Sequence, residues 1–191
     1  KSSKKSSKAS LTKAAKTSPS SQDDPTLDPT IDPTIDPSSY SLESYWSRRY
    51  SSSHPSQSER YHDWYFPPSS LLPILPPCES ALENGCGLRP VLPHIDCEDR
   101  VGTDYSPTCI SQLSVLHPGC TWLCRDALSM PSFSDESFDM VIEKGLLDAV
   151  ITGGVDKAVR AVATMARIAK GHVVCVTHFG VGWWIEDVLC V

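Results

Sequence analysis

Apolar side chains are thin over the first 70 or so residues and recur in short, regular runs from about Leu71 onward. Residues 80–84 (SALEN) and 100–104 (RVGTD) read as short strands. Across 106–116, Cys109, Ile110, Leu113 and Leu116 fall at helical spacing. Ser106 supplies an N-cap there, and Pro107 stands at the first helical position, where a missing N–H costs nothing. Residues 121–127 (TWLCRDA) read as a third strand, and 138–145 (FDMVIEKG), an almost continuous apolar run, as a fourth. In 153–170, Val155, Val159, Val162, Met165, Ala166 and Ala169 repeat with the period of an amphipathic helix, which Lys170 and Gly171 are expected to close. Residues 172–179 (HVVCVTHF) form the clearest strand. Strands alternating with helices predict an α/β fold, a doubly wound and mostly parallel sheet. Such sheets bind ligands at the carboxyl ends of their strands.

The N-terminal stretch obeys different rules. Residues 1–22 carry six lysines and no acid, the composition of a solvated, disordered arm. It also partly fits a mitochondrial transit peptide, although arginine is absent. The repeat LDPTIDPTIDPSS follows, and its prolines predict an extended spacer. The expected division is a disordered arm over 1–40 and a folded domain over 41–191. Residues 41–50 (SLESYWSRRY) read as a short helix, and 60–66 (RYHDWYF) crowd aromatic side chains before a Pro-Pro break.

The whole chain has 191 residues and a net charge of −6, which argues against a nucleic-acid partner. No apolar run approaches the roughly 18 residues of a membrane span. Eight cysteines raise the question of zinc or disulfides. Cys120 and Cys124 are close in sequence, but no second pair completes a tetrahedral set at zinc-like spacing. Cys86, Cys109 and Cys175 sit in apolar runs and are expected to pack as reduced, small hydrophobes of an intracellular protein. Cytoplasm is the expected compartment, with mitochondria as the alternative.

Chemistry concentrates at three strand ends. Gly85 and Gly87 flank Cys86 after the first strand, and Asp104 closes the second about 20 residues on. Glycines let a backbone approach a ligand closely, and an acid at that distance accepts from two ribose hydroxyls. A dinucleotide site wants a third glycine, but position 90 is Pro, so a cofactor without a pyrophosphate, S-adenosylmethionine, is favoured. Asp126, followed by Ala127, ends the third predicted strand, where an acid can read the amino group of adenine. Each residue alone has an ordinary reading as turn, loop cap or surface group. Their fall on three successive strand ends is what points to an adenosine.

The stretches GCG, DYS and DALSMPSFSDESFDMVIEKGLLDAV resemble the class I S-adenosylmethionine-dependent methyltransferases, and within them the group of elongation factor 1-alpha lysine methyltransferases. A citrate synthase lysine methyltransferase is a neighbour in that group. The N-terminal YWSRRY and DWY match a signature of the same group, and the similarity spans roughly residues 43 to 178. The resemblance implies a Rossmann-like fold and a set of cofactor contacts. Trp46, Tyr50 and Trp64 would fold over the cofactor, with Arg49 near its carboxylate. Gly85 and Gly87 would bring the backbone to its methionine part, Asp104 would hold the ribose, and Tyr105 would cover the adenine face. Asp126 and Ala127 would read the adenine edge, and Lys144 would line the site beside the acceptor channel. The implied acceptor is a lysine on a protein, elongation factor 1-alpha being the candidate. No residue need act as acid or base, and no metal is required. Oligomeric state is not legible.

Two departures from that pattern stand out. The first strand should be strongly apolar, yet it ends in Glu-Asn, and Pro90 and Pro93 should leave the helix after the glycines short or absent, since an interior proline costs about 3 kcal/mol. After residue 179 only GVGWWIEDVLCV remains, so the C-terminal strands of the fold are expected to be missing through truncation, or Trp183 and Trp184 to cover the edge. A catalytically inactive relative and a small-molecule methyltransferase are therefore the alternatives to a protein-lysine enzyme.

Overall fold

The computed structural model describes residues 35–51, 53 and 61–178. The lysine-rich arm and residues 179–191, with Trp183 and Trp184, lie outside them. Five strands make one parallel sheet: β1 (Ser80–Asn84), β2 (Asp99–Asp104), β3 (Thr121–Cys124), β4 (Phe138–Lys144) and β5 (Ala169–Val176). Their spatial order is β3-β2-β1-β4-β5. The helices are α1 (Glu43–Tyr50), α2 (Pro107–Leu116), α3 (Leu146–Ile151) and α4 (Val155–Ile168). None of the helices among the described residues is long and apolar enough to cross a membrane.

The side-chain alternation of the central strands divides the core in two. Ala81, Met140 and Ile142 pack with Tyr45, Trp46 and Tyr50 of α1 and with Cys109 and Leu113 of α2. Leu82 and Val141 point the other way, onto Leu147 of α3 and Ala158, Ala161, Met165 and Ile168 of α4. Both faces are thus covered, the condition under which parallel strands read as continuous apolar runs. The chain winds outward from β1 through β2 to β3, then returns to the other side of β1 for β4 and β5. Between β1 and β4 the order reverses, and a crevice opens beyond their carboxyl ends.

Four local features correct the expectations. Helix α4 ends at Ile168, and Ala169 is already extended (φ −75°, ψ 128°), so Lys170 and Gly171 belong to β5 and not to a helix cap. Gly171 is required by the strand pairing, because a Cβ there would meet the Asp139 carbonyl oxygen at 2.8 Å. Strand β3 stops at Cys124, which leaves Asp126 in the loop beyond it. Cys175 is exposed, since β5 closes the described sheet on one side. The last residues of the Asp-Pro spacer fold against the domain: Pro37–Ser41 forms a single 3-10 turn capped by Asp36, and Ile35 and Tyr40 pack on the core.

The segment after the glycines is not an α-helix but one 3-10 turn, Leu92–His94, as its prolines require. The polar end of β1 accounts for how it is held. Glu83 is buried, and its carboxylate accepts the Val91 N–H at 2.8 and 3.0 Å and the Leu92 N–H at 3.0 Å. Burial pushes this carboxyl up to about 7, against the lowering effect of those amides.

Candidate functional site

The crevice at the switch point has a volume of about 230 Å³, and all eleven sequence-predicted site residues lie on its wall. Each reaches it by a different route. The turn after β1 brings Gly85 (φ +65°) and Gly87 (φ +54°) in left-handed conformations. A Cβ on Gly85 would stand 2.7 Å from Leu146 Cδ1, so both the dihedral and the space demand glycine. Asp104 closes β2 with 5% of its surface exposed. One of its carboxylate oxygens accepts the Gly87 N–H at 3.1 Å and the other accepts the Ser106 N–H at 2.9 Å. Burial pushes the Asp104 carboxyl up to about 6, while these two amides lower it and Glu43 adds to the rise.

Helix α1 provides the opposite partner chemistry. Trp46, Arg49 and Tyr50 recur at helical spacing and are all buried. Trp46 donates its indole N–H to the Tyr40 carbonyl at 2.7 Å, which anchors the spacer's final turn. The Arg49 guanidinium lies 5.9 Å from the ring centre of Trp46 and 5.6 Å from that of Trp64. It donates to the Tyr45 hydroxyl at 3.0 Å, and no ion pair among the described residues includes it. A buried cation on a ligand-sized crevice without a carboxylate of its own is a demand for an anion. Tyr50 is held strongly against ionisation, first by burial and then by Asp104.

On the far side of the crevice, Lys144 ends β4. Its ammonium donates to the Trp64 carbonyl at 3.2 Å and lies 4.0 Å from Asp63. Burial lowers its pKa, while Asp63 and Glu83 oppose that and Arg89 adds to it. Asp63 in turn accepts from Arg89 at 2.8 Å, so the segment bearing Trp64 is tied to both the glycine turn and β4. Tyr105 is half-buried and resists ionisation chiefly through burial. Asp126 is exposed and accepts the Leu128 N–H at 2.9 Å, while Ala127 beside it is buried.

Several wall residues went unread in the sequence. Asn84 is 1% exposed; its side-chain oxygen accepts from the Thr103 hydroxyl, and its Nδ2 has no partner. The ion pair of Asp63 and Arg89 has no local signature, because 26 positions separate the two. Tyr40, His62, Gly145 and Leu146 complete that part of the wall. Glu143 and Asp148, acids on or just after β4, do not line it. Glu143 accepts the Leu147 N–H, and Asp148 accepts from Tyr65, Thr177 and the His178 N–H.

The chain spans about half the length of a curated relative it matches, EEF1A lysine methyltransferase 4 of Mus musculus. The two are 30% identical over 124 residues, 61% of this chain and 48% of that one. The eEF1A lysine and N-terminal methyltransferase of Xenopus laevis is 28% identical over 159 residues, 68% of this chain and 23% of the relative. Among solved structures, the sugar N-methyltransferase KedS8 from Streptoalloteichus shares the fold with a TM-score of 0.53 at 20% identity, over 64% of this chain and 52% of that one. The S-adenosylmethionine-bound amino pentose methyltransferase CalS10 from Micromonospora echinaspora does so with a TM-score of 0.50 at 18% identity, over 60% of this chain and 49% of that one.

S-adenosylmethionine, the cofactor expected from the sequence, is the ligand of the solved neighbour CalS10. The wall fits it in three respects: a buried guanidinium in no ion pair among the described residues suits its carboxylate, an amide donor without a partner among them stands at the end of β1, and a buried acid closes β2. The family model described as a methyltransferase domain matches residues 82–177, from within β1 through β5, and the chain belongs to that family.

Proposed function

We propose that the chain transfers a methyl group from S-adenosylmethionine to a lysine side chain of a protein, with elongation factor 1-alpha as the candidate acceptor. The observation that carries the cofactor part of this reading is the Arg49 guanidinium, in no ion pair among the described residues, on the same wall as the buried Asp104 carboxylate. In this reading Arg49 takes the cofactor's carboxylate, Gly85 and Gly87 bring the main chain against its methionine part, and Asp104 accepts from its ribose. Tyr105 covers the adenine face, and Asp126 with the Ala127 N–H reads the adenine edge. Trp46, Tyr50 and Trp64 form the cover, and Lys144 flanks the channel by which the acceptor enters.

S-adenosylmethionine supplies a methyl group already activated on a sulfonium. What this chain's residues contribute is alignment of the acceptor amine with that methyl and removal of water around it. The aromatic cover serves both ends, because it is anchored through Trp46 and the Asp63 ion pairs. No wall acid is assigned as a base. The amine loses its proton to water before attack; Glu143 is engaged by the Leu147 N–H, and Asp148 by Tyr65, Thr177 and the His178 N–H.

The lysine acceptor is supported by the names of the sequence relatives at about 30% identity. The structural neighbours named for sugar and amino pentose substrates favour a second reading, a small-molecule acceptor. Incubating the chain with methyl-labelled cofactor and a cell extract separates the two. Label in a protein band, and in its methyl-lysine after hydrolysis, is the expected result. Label only in the small-molecule fraction supports the second reading, and label in neither leaves a non-catalytic binder.

A further inference from the structure

Two thiols beneath the glycine turn have no role in the methyl-transfer reading. Cys86 sits between Gly85 and Gly87, and Cys109 lies in the first turn of α2. They are 6% and 0% exposed. Both Sγ atoms and a carboxylate oxygen of Asp104 lie within 4.8 Å of one another. The Tyr50 phenol lies within electrostatic reach of the same three groups. Packing explains one buried cysteine. It does not explain a second thiol brought against it from another element, with a carboxylate alongside. Each Asp104 oxygen accepts one amide, so lone pairs remain on both.

We propose that Cys86, Cys109 and Asp104 bind a thiophilic divalent cation of the zinc class. Two sulfurs and one oxygen form a donor set that thiophilic ions prefer, and it is too poor in oxygen for magnesium or calcium. Zinc–sulfur bonds of about 2.3 Å and zinc–oxygen bonds of about 2.0–2.2 Å require the three atoms to draw together slightly. Cys86 and Asp104 are on the crevice wall, so the fourth tetrahedral position opens to water there. Binding turns two thiols into thiolates: a divalent cation, two thiols and one carboxylate give a complex of net charge −1 and two protons released to solvent. Asp104 then no longer serves a ribose, and the cation antagonises the cofactor. The antagonism rests on the methyltransferase reading; the cation site does not.

The test uses the full, reduced chain and cadmium as the probe, followed through the ultraviolet thiolate-to-metal charge-transfer band. One equivalent should saturate the band, with about two protons released per cation, and the loaded chain should fail to bind S-adenosylhomocysteine. Cys109→Ser should weaken cadmium at least ~100-fold while keeping S-adenosylhomocysteine binding, and Cys109→Val should do the same if serine perturbs the fold. Cys97→Ser, which alters a thiol neighbouring Cys78 that is not one of the three ligands, should leave the band intact. A band that survives both Cys109 variants, disappears in Cys97→Ser or never saturates overturns the site. A cadmium-loaded chain that binds S-adenosylhomocysteine normally overturns the antagonism. Failure of the metal-free chain to bind S-adenosylhomocysteine counts against the methyltransferase reading and leaves the cadmium result standing.

Discussion

Glu83 receives the Val91 N–H on both of its carboxylate oxygens, at 2.8 and 3.0 Å, and thereby fixes the proline-broken segment against the end of β1. The turn carrying Gly85 and Gly87 lies between these two residues. Glu83→Ala strands the Val91 and Leu92 amides in the core. A buried donor without a partner costs about 1–3 kcal/mol, so chemical denaturation should show a loss of at least about 2 kcal/mol. Glu83→Gln keeps one acceptor oxygen and should recover part of that loss.

Glu143 gives the fold a pH dependence. It is fully buried, one of its oxygens has no partner, and burial pushes its carboxyl from 4.5 up to about 8. A raised carboxyl favours the protonated folded state, so its contribution is complete below about pH 4.5 and fades as pH rises through about 8. Glu143→Gln is neutral throughout and still offers an acceptor to the Leu147 N–H. Denaturation midpoints of the two chains should coincide near pH 5 and separate above it. The variant should be more stable by roughly 4 kcal/mol at pH 8.

Arg49 predicts a selective loss. Arg49→Met keeps an unbranched side chain and removes the charge that lies over Trp46 and Trp64. S-adenosylhomocysteine should bind about 10–100-fold more weakly, the worth of a charged hydrogen bond. 5′-Methylthioadenosine, which lacks the carboxylate, should bind as it does to the unaltered chain. Equal weakening of both ligands would remove Arg49 from the carboxylate.

Gly85→Ala forces a side chain into a left-handed position and against Leu146. The dihedral alone costs about 1–2 kcal/mol. The expected result is a chain that still folds at reduced stability and binds the cofactor poorly, read by thermal shift with and without S-adenosylhomocysteine.

What the sequence disclosed depended on how locally each feature was written. In strand β4 Phe138, Met140, Val141 and Ile142 are apolar and both faces are covered, so that hydrophobic block identified it. The repeat along α4 was equally plain, but its end was not. Ala169 can continue a helix, and only its pairing with Phe138 across the sheet makes it a strand residue. Helix α3 was missed because Leu146–Ile151 is six residues that prolong the apolar run of β4 beyond Gly145. Glu83 looked like a defect in an apolar strand, because its partners lie eight and nine residues away. The crevice residues were legible since the family motifs name them, whereas the Asp63–Arg89 pair and Asn84 emerge only when the strands are side by side.

The most direct test of the account is calorimetric titration of S-adenosylmethionine into the full chain and into Asp104→Ala. One saturable site per chain is expected, with binding lost or weakened at least ~100-fold in the variant, where a buried acceptor for the ribose is missing. No heat at millimolar cofactor, or equal binding by both chains, would contradict it.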